Sequence, residues 1–165
     1  MNKQTIVAGA IGLAVVAAII GSGLFATRKN RLELTGQILK VRSFQIADDN
    51  TVAAIDFRVT NPSTQTFQVK DVEVHLETAD GKILDGGNFT ESDAGRLFDY
   101  YKVLGVKYNP TLIIKEKIAP NETKDRMIAV KFDAPDSVIQ KRKGIRIVIT
   151  DVDGVQTEVG DKIKK

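Results

Sequence analysis

One histidine and a few spaced carboxylates are the side chains best suited to chemistry in this 165-residue chain. His75 stands between Glu73 and Glu77, and alternate residues of a strand share a face, so these three side chains could offer a cation three ligands. A solvated sheet face of mixed charge explains the same pattern, and we favour that interpretation. No Ser/His/Asp or Cys/His arrangement can be assembled around His75 from its surroundings in the sequence.

A second acidic motif, Asp151-Val152-Asp153-Gly154, is similar to a fragment of a calcium-binding loop. It lacks the third oxygen position and the distant glutamate of an EF-hand, so a hairpin turn is the better interpretation. The glycines form neither a dinucleotide-binding nor a phosphate-binding fingerprint, and without cysteine there is no thiolate ligand or nucleophile. We therefore expect no catalytic, cofactor-binding or metal-binding residues, and predict that the chain is not an enzyme.

Composition narrows the class of partner. Hydrophobic residues make up 42% and charged residues 27%, which is a globular balance. Lys and Arg number 24 against 21 Asp and Glu, and the net charge of +3 is interspersed along the chain rather than concentrated. A basic stripe for neutralising phosphates is missing, so we expect no nucleic-acid partner.

Aromatic side chains mark one candidate surface for a protein partner, since such residues are enriched at interfaces. They are Phe98, Tyr100, Tyr101 and Tyr108. The alternative is that Leu97, Tyr101 and Leu104, which recur at helical spacing, fasten a helix to the rest of the domain, and we favour that interpretation.

Period-two alternation predicts that the elements carrying these residues are mostly strands. In residues 51–60 the odd positions, including Ile55 and Phe57, are apolar and the neighbouring Asp56 and Arg58 are charged. The alternation changes phase within residues 32–46 and again near Lys70-Asp71, as a β-bulge would require. Another strand is predicted over residues 111–118.

Turn signals divide the chain into seven or eight short strands, which favours an immunoglobulin-like or fibronectin III-like β-sandwich. They are Asp48-Asp49-Asn50, Asp80-Gly81, Pro120-Asn121-Glu122 and Asp153-Gly154. Two short helices are expected to interrupt the strands. The first begins after the capping residues at Thr90 and ends near Gly105, and the second covers residues 136–143.

The N-terminal segment predicts a membrane anchor. From Ile6 to Ala26 there are 21 uncharged residues, and a helix of that length spans about 31 Å. We expect an anchor over residues 1–27, a basic linker over 28–31 and the sandwich over 32–165, with the lipid bilayer as a partner. A cleaved signal peptide is the alternative.

The side of the membrane that the domain faces stays open. Arg28, Lys29 and Arg31 follow the apolar segment and only Lys3 precedes it, which favours a cytoplasmic domain. A chain that begins with a signal-like segment is often exported, which favours the opposite side.

The strand that ends at Asn61-Pro62, together with the similar strand that follows it to Leu76, resembles the water-stress and hypersensitive-response (WHy) domain of group 2 late embryogenesis abundant proteins. The turn before the late strand, residues 117–123, also suits that family. The resemblance covers about residues 32–132, and Ser63 departs from it. It implies an all-β fold without an enzymatic site, and an association with desiccation or stress protection.

Two functions follow as expectations. The first is a non-enzymatic, membrane-tethered module that protects against stress or binds a ligand. The second is a structural or interaction subunit of a membrane-associated complex.

The anchor can be tested on the intact protein. We expect it to sediment with membranes and to stay there after alkaline carbonate extraction, because an apolar helix in hydrocarbon holds more strongly than surface charge. Immunoblotting of the pellet and the supernatant measures the outcome. Release of the protein by carbonate would contradict the anchor, and an N-terminus near Ser22 to Ala26 would identify a cleaved signal.

Overall fold

Two antiparallel β-sheets face each other in a computed structural model of the chain, which describes residues 32–160. The first sheet has the strand order β1-β2-β7-β5, and the second has the order β4-β3-β8-β9 with β6 paired to one end of β3. The strands are β1 (Thr35–Ala47), β2 (Asn50–Thr60), β3 (Phe67–Glu77), β4 (Ile83–Asp85), β5 (Gly87–Asn88), β6 (Lys117–Ile118), β7 (Thr123–Phe132), β8 (Gly144–Asp151) and β9 (Gln156–Gly160). The mainly β, two-sheet fold predicted from the sequence is therefore confirmed, and the short strand β5 is the one that the sequence did not predict.

The main core lies between the sheets, where side chains of one parity from each strand meet. Ile55 and Phe57 of β2 face Val74 of β3 and Ile147 of β8, and all four are buried. Arg58, one position from Phe57, is instead exposed and forms an ion pair with Asp125. The inward parity predicted for β2 is confirmed.

A second, smaller core covers the outer face of the first sheet, and it confirms the interpretation that a helix packs onto the sandwich through its regularly spaced apolar residues. Val52 and Ala54, on the other parity of β2, are as fully buried as the inward residues. They pack with Phe98 of helix α1 (Glu91–Tyr100) and with Leu104 of the 3-10 turn that follows it (Lys102–Leu104). Strand β2 is therefore buried on both faces.

The predicted phase changes are β-bulges. The pairing of β1 with β2 shifts between Ile38 and Lys40, and the pairing of β3 with β8 shifts between Val69 and Asp71. An extra residue rotates the following side chains to the opposite face, as the apolar pattern required. At the tight turns, Gly81 and Gly154 adopt φ angles of 88° and 84°, which favour glycine.

Both helices form close to the predicted places. Thr90 caps α1 by accepting a hydrogen bond from the backbone N–H of Asp93, and Gly105 ends the 3-10 turn at a φ of 78°. Helix α2 (Asp136–Gln140) is shorter than the predicted 136–143. No helix within residues 32–160 has the length and apolar composition to span a bilayer. The segment from Ile6 to Ala26 lies outside the described residues.

The prediction of a strand over residues 111–118 is wrong. Only Lys117–Ile118 forms a strand, and Thr111 makes an isolated bridge to Met127 of the first sheet. The start of this stretch is hydrogen-bonded to Met127 of β7 in the first sheet. The chain then turns at Lys115, where φ is 70°, and the end of the stretch pairs with β3 of the second sheet. We call residues 110–118 the second crossing segment.

Residues 83–88 form the first crossing segment along the same side of the sandwich. Their β4 part pairs with β3 and their β5 part pairs with β7, so the chain again passes from one sheet to the other. Between the two crossings, residues 89–109 run over the outer face of the first sheet and include α1. We call these residues the excursion.

Asn61 directly follows the C-terminal end of β2, and its side chain links three parts of the backbone. Its side-chain amide donates to the carbonyls of Gln65 and Ile118 at 2.7 and 2.9 Å, and its Oδ1 accepts from the N–H and the hydroxyl of Ser63. The side chain is fully buried and its hydrogen bonds are satisfied. The Asn-Pro motif behind the family resemblance thus has a structural role in this fold.

Replacing Asn61 with alanine should lower the free energy of unfolding by about 2 to 4 kcal/mol, because buried carbonyls lose their donors. Thr64→Ala, at an exposed position of the same loop, should change it by less than about 0.5 kcal/mol. Urea denaturation of the two variants and the wild type measures both effects. Equal effects would show that the loop does not depend on Asn61.

Candidate functional site

Of the two carboxylates that flank His75 at alternate positions, Glu73 contacts the histidine and Glu77 does not. His75 Nδ1 lies 2.7 Å from Asp85 Oδ1 on β4, and its Nε2 lies 3.4 Å from Glu73 Oε2. Glu77 pairs instead with Lys143. Within residues 32–160 no group of three His, Asp or Glu side chains is arranged to hold a metal ion.

The acidic motif at Asp151 forms a hairpin turn, as predicted. Asp151 Oδ1 accepts a hydrogen bond from the N–H of Gln68, and its Oδ2 accepts one from the N–H of Asp153. Asp151 is fully buried, and its oxygens satisfy one backbone donor of β3 and one of the β8–β9 turn.

The four aromatic residues proposed as a partner surface separate into exposed and packed members. Tyr100 and Tyr108 are 80% and 67% exposed. Phe98 is only 6% exposed inside the second core, and Tyr101 is half-buried with its ring centroid 5.3 Å from that of Phe44. Phe98 is therefore a core residue rather than part of a free surface.

Two exposed valines of the excursion extend what the exposed tyrosines offer. Val103 and Val106 are both largely exposed, and the sequence analysis did not single them out. Their alternation with buried Leu104 could have indicated that this stretch has an outer side. We call Tyr100, Val103, Val106 and Tyr108 the aromatic surface.

Arg42 of β1 fastens the excursion to the first sheet. Its guanidinium donates 2.7 Å hydrogen bonds to the carbonyls of Leu104 and Val106 and forms a 2.8 Å ion pair with Asp56. The Arg42 and Asp56 side chains are only 11% and 4% exposed. Nη1 donates to both carbonyls, and these charge-assisted hydrogen bonds hold the backbone that carries the aromatic surface.

Further contacts complete this anchor. Asp56 Oδ1 accepts a 2.9 Å hydrogen bond from the Asn109 side chain, so both carboxylate oxygens are used. The Arg42 guanidinium lies 5.0 Å from the Phe98 ring centroid and 5.4 Å from that of Tyr108. Cation–π attraction at these distances adds to the fixation of the excursion.

A groove of about 360 Å³ lies between the two crossing segments. Its walls come from the start of the excursion and from the second crossing segment, with contributions from both sheets. The lining residues are Asp71, Val72, Asn88, Phe89, Thr90, Glu91, Thr111, Leu112, Ile113, Ile114 and Ile128. Most of the lining is apolar, and Ile113 and Ile114 are exposed.

Two polar features distinguish the groove. Thr111 is 4% exposed, and its hydroxyl has no hydrogen-bond partner among the described residues. The carboxylates of Asp71 and Glu91 are exposed at the groove, and none of the ion pairs within residues 32–160 involves either of them.

An ionic network stabilises the second crossing segment beside the groove. Glu116 Oε1 accepts hydrogen bonds from Arg126 Nε at 2.8 Å and from Lys124 Nζ at 3.3 Å, both on β7. Partial burial tends to raise the pKa of Glu116, but the hydrogen bonds and charges of Arg126 and Lys124 outweigh it and lower the pKa below its ordinary value. These interactions of Glu116 link the second crossing segment, whose end pairs with the second sheet, to β7 of the first sheet.

A strand over residues 111–118, as the sequence predicted, would leave no room for the groove to be recognised. Ile113 and Ile114 are adjacent apolar residues, and a strand with one solvated face would place one of them outward. Pro110 before this stretch was a further signal, since proline interrupts regular pairing.

Comparison with models of known protein families finds no match, and comparison with curated proteins finds none either. Among solved structures, an uncharacterised β-sandwich protein from Clostridium difficile 630 is 15% identical with a TM-score of 0.41, over 79% of this chain and 86% of that one. A functionally unknown protein from Listeria monocytogenes EGD-e is 11% identical with a TM-score of 0.42, over 78% and 76%. The archaellum periplasmic stator complex of FlaF and FlaG from Sulfolobus acidocaldarius is 12% identical with a TM-score of 0.36, over 76% and 87%. Likenesses at this level carry no functional inference.

The lowered pKa of Glu116 makes its contribution to stability depend on pH. At neutral pH, Glu116→Gln should lower the free energy of unfolding by about 1 to 3 kcal/mol, because Arg126 and Lys124 lose their anionic partner. The stabilisation from a lowered carboxylate pKa is complete above the ordinary pKa and is lost as the pH falls through the folded value. The difference between wild type and variant should therefore shrink as the pH falls below the ordinary value of 4.5.

Urea denaturation at pH 7, 5, 4 and 3 measures this difference. Glu158→Gln is the matched control, since Glu158 also pairs with an arginine, Arg146, but is largely exposed. That variant should differ from wild type by less than about 0.5 kcal/mol at pH 7. A difference for Glu116→Gln that stays constant from pH 7 to pH 3 would contradict the role assigned to its charge.

Proposed function

We propose that the chain is a non-enzymatic interaction module that binds a protein partner through the aromatic surface. One observation carries the proposal: Tyr100 and Tyr108 are 80% and 67% exposed on a segment whose backbone Arg42 holds in place. Large apolar side chains grouped on one exposed segment are typical of surfaces that bind partners.

The way in which the surface is held supports this proposal. The ion pair between Arg42 and Asp56 places two charges in a poorly solvated position, which costs desolvation free energy. A fixed backbone also reduces the conformational entropy that the segment loses when a partner orders it. An anchored excursion therefore favours recognition by a preformed surface.

The proposal includes an immunoglobulin-like arrangement of the strands. The order β1-β2-β7-β5 opposite β4-β3-β8-β9 corresponds to strands A-B-E-D opposite C′-C-F-G of that class, with β6 as an addition. Loops and inserted segments of such sandwiches carry binding residues on a stable scaffold, which suits the excursion.

The membrane tether and the WHy-like protective role also belong among the proposals. A tether over Ile6 to Ala26 would confine the module to partners at a bilayer, as in the subunit alternative. The Asn61-Pro62 corner offers no binding group to a ligand, because the Asn61 amide is used inside the fold. The aromatic surface therefore favours the interaction subunit over the protective module.

Site-specific photo-crosslinking in the native cells tests the interaction. The photoreactive residue p-benzoylphenylalanine replaces Tyr100 or Tyr108 in the full chain, which keeps an aromatic ring at each position. We expect ultraviolet light to produce one adduct of the same discrete mass from both positions. Mass spectrometry of the purified adduct identifies the partner.

Two controls make the result specific. The same photoreactive residue at Asp153, in an exposed turn of the second sheet, should not give that adduct. Val103→Ser with Val106→Ser should lower the yield of the adduct at least about fivefold, whereas Ile83→Ser with Val152→Ser, exposed apolar residues elsewhere, should leave it unchanged. No adduct from Tyr100 and Tyr108, or the same adducts from Asp153, would refute the proposed function.

A further inference from the structure

We propose that the groove between the crossing segments receives an apolar side chain from a segment of the protein partner, whose neighbouring Lys or Arg lies against Asp71 and Glu91. This inference rests on the proposed function and names the chemistry of the partner. It concerns a site separate from the aromatic surface, and either can fail without the other.

The size and the position of the groove suit an inserted side chain. A volume of about 360 Å³ is at the lower end of the range for ligand-binding pockets and exceeds the volume of one side chain. Val72 contributes from the second sheet and Ile128 from the first, so the groove reaches inward between the two sheets. An apolar side chain placed there would cover Ile113 and Ile114, the exposed apolar residues of the lining, beside buried core residues of both sheets.

The Thr111 hydroxyl indicates that the occupant also brings a hydrogen-bonding group. It is the one buried side-chain oxygen lining the groove that lacks a partner within the described part of the chain. A buried hydroxyl without a partner costs free energy, and a peptide carbonyl or N–H next to the inserted side chain would relieve that cost. A pure hydrocarbon ligand would leave the cost in place.

Charge sets the sign of the flanking residue. Asp71 and Glu91 stand at the groove without a cationic side-chain partner among residues 32–160, so no ion pair within this part of the chain occupies them. Complementary charge on a partner selects for Lys or Arg and rejects Asp or Glu.

Continuity with the aromatic surface favours a protein segment over a small molecule. Phe89 lines the groove and also lines a shallow depression that includes Tyr100 and Tyr101. Ile113 and Ile114 add exposed apolar area on the other side of the groove. A single chain of the partner can therefore cover both features at once.

Selection from a displayed library of random nine-residue peptides on the purified full chain tests this inference. We expect recovered peptides to carry an apolar residue within three positions of Lys or Arg. For a labelled synthetic peptide of that kind, Asp71→Lys with Glu91→Lys should weaken binding about tenfold in fluorescence polarisation. Changing the peptide's Lys or Arg to Glu should restore binding to that double variant.

Matched variants separate the groove from other surfaces. Asp133→Lys with Glu158→Lys reverses two exposed carboxylates elsewhere and should leave binding unchanged. Thr111→Val should weaken peptide binding without lowering the urea midpoint, because the removed hydroxyl has no partner in the free protein. Tyr100→Ser should leave the binding of the short peptide unchanged.

Three results would overturn the inference. The first is that no peptide with an apolar residue near Lys or Arg is recovered. The second is that the double variant at Asp71 and Glu91 binds the peptide as tightly as the wild type does. The third is that dodecyltrimethylammonium binds and the peptides do not, which would indicate a small amphiphilic ligand. Crosslinks from Tyr100 that persist alongside such a result would leave the proposed function intact. Peptide binding at the groove without those crosslinks would refute the proposed function instead.

Discussion

The hydrogen bonds and the ion pair of the Arg42 guanidinium determine how the excursion lies on the first sheet. Two carbonyls of the excursion and the carboxylate of Asp56 share this one cation in a position that solvent hardly reaches. Removing one partner from such a pair leaves a buried charge uncompensated, which typically costs about 3 to 5 kcal/mol. The position of the exposed tyrosines is therefore coupled to the pairing of β1 with β2, from which Arg42 and Asp56 project.

The groove follows from the path that the chain takes along one side of the sandwich. The first crossing segment pairs with β7 at Val130 and Lys131, and the second is hydrogen-bonded to β7 at Met127. Ile128 lies between these two attachments and faces the groove. The excursion thus covers the outer face of the first sheet, and the groove remains at the edge of that sheet where the chain crosses. The Glu116 network stabilises one end of the groove.

The parts of the fold that depend on local pattern could be predicted from the sequence. The inward residues of β2, the two bulges and the capped start of α1 follow from alternation, from phase changes and from capping chemistry. The helix side of the second core was indicated by Leu97 and Leu104, but its strand side could not be predicted, because Val52 and Ala54 are small and meet α1 only through the tertiary fold. Phe98 was assigned to the surface because α1 carries aromatic residues on two sides, and the sequence does not show which side packs against the sheet.

Residues 110–118 show the limit of pattern more sharply. Each half of the segment pairs with a different sheet, so no single alternation describes it, and the groove beside it depends on contacts between residues far apart in the sequence. Its apolar residues nonetheless stand in the sequence, and their failure to alternate was the available signal.

The attachment of the excursion has a consequence for local dynamics. Within the described chain its first residue is joined to β7 by a main-chain hydrogen bond from Phe89 N–H to Ala129, and the next such bond, from Met127 N–H to Pro110, lies just past its end. Side chains such as Arg42 hold the stretch between. Such a unit can open while β2 and β7 remain paired, at a free-energy cost below that of global unfolding. The amide protons of α1 then exchange with deuterium through this subglobal opening, whereas those of β2 and β7 exchange only when the sandwich itself comes apart.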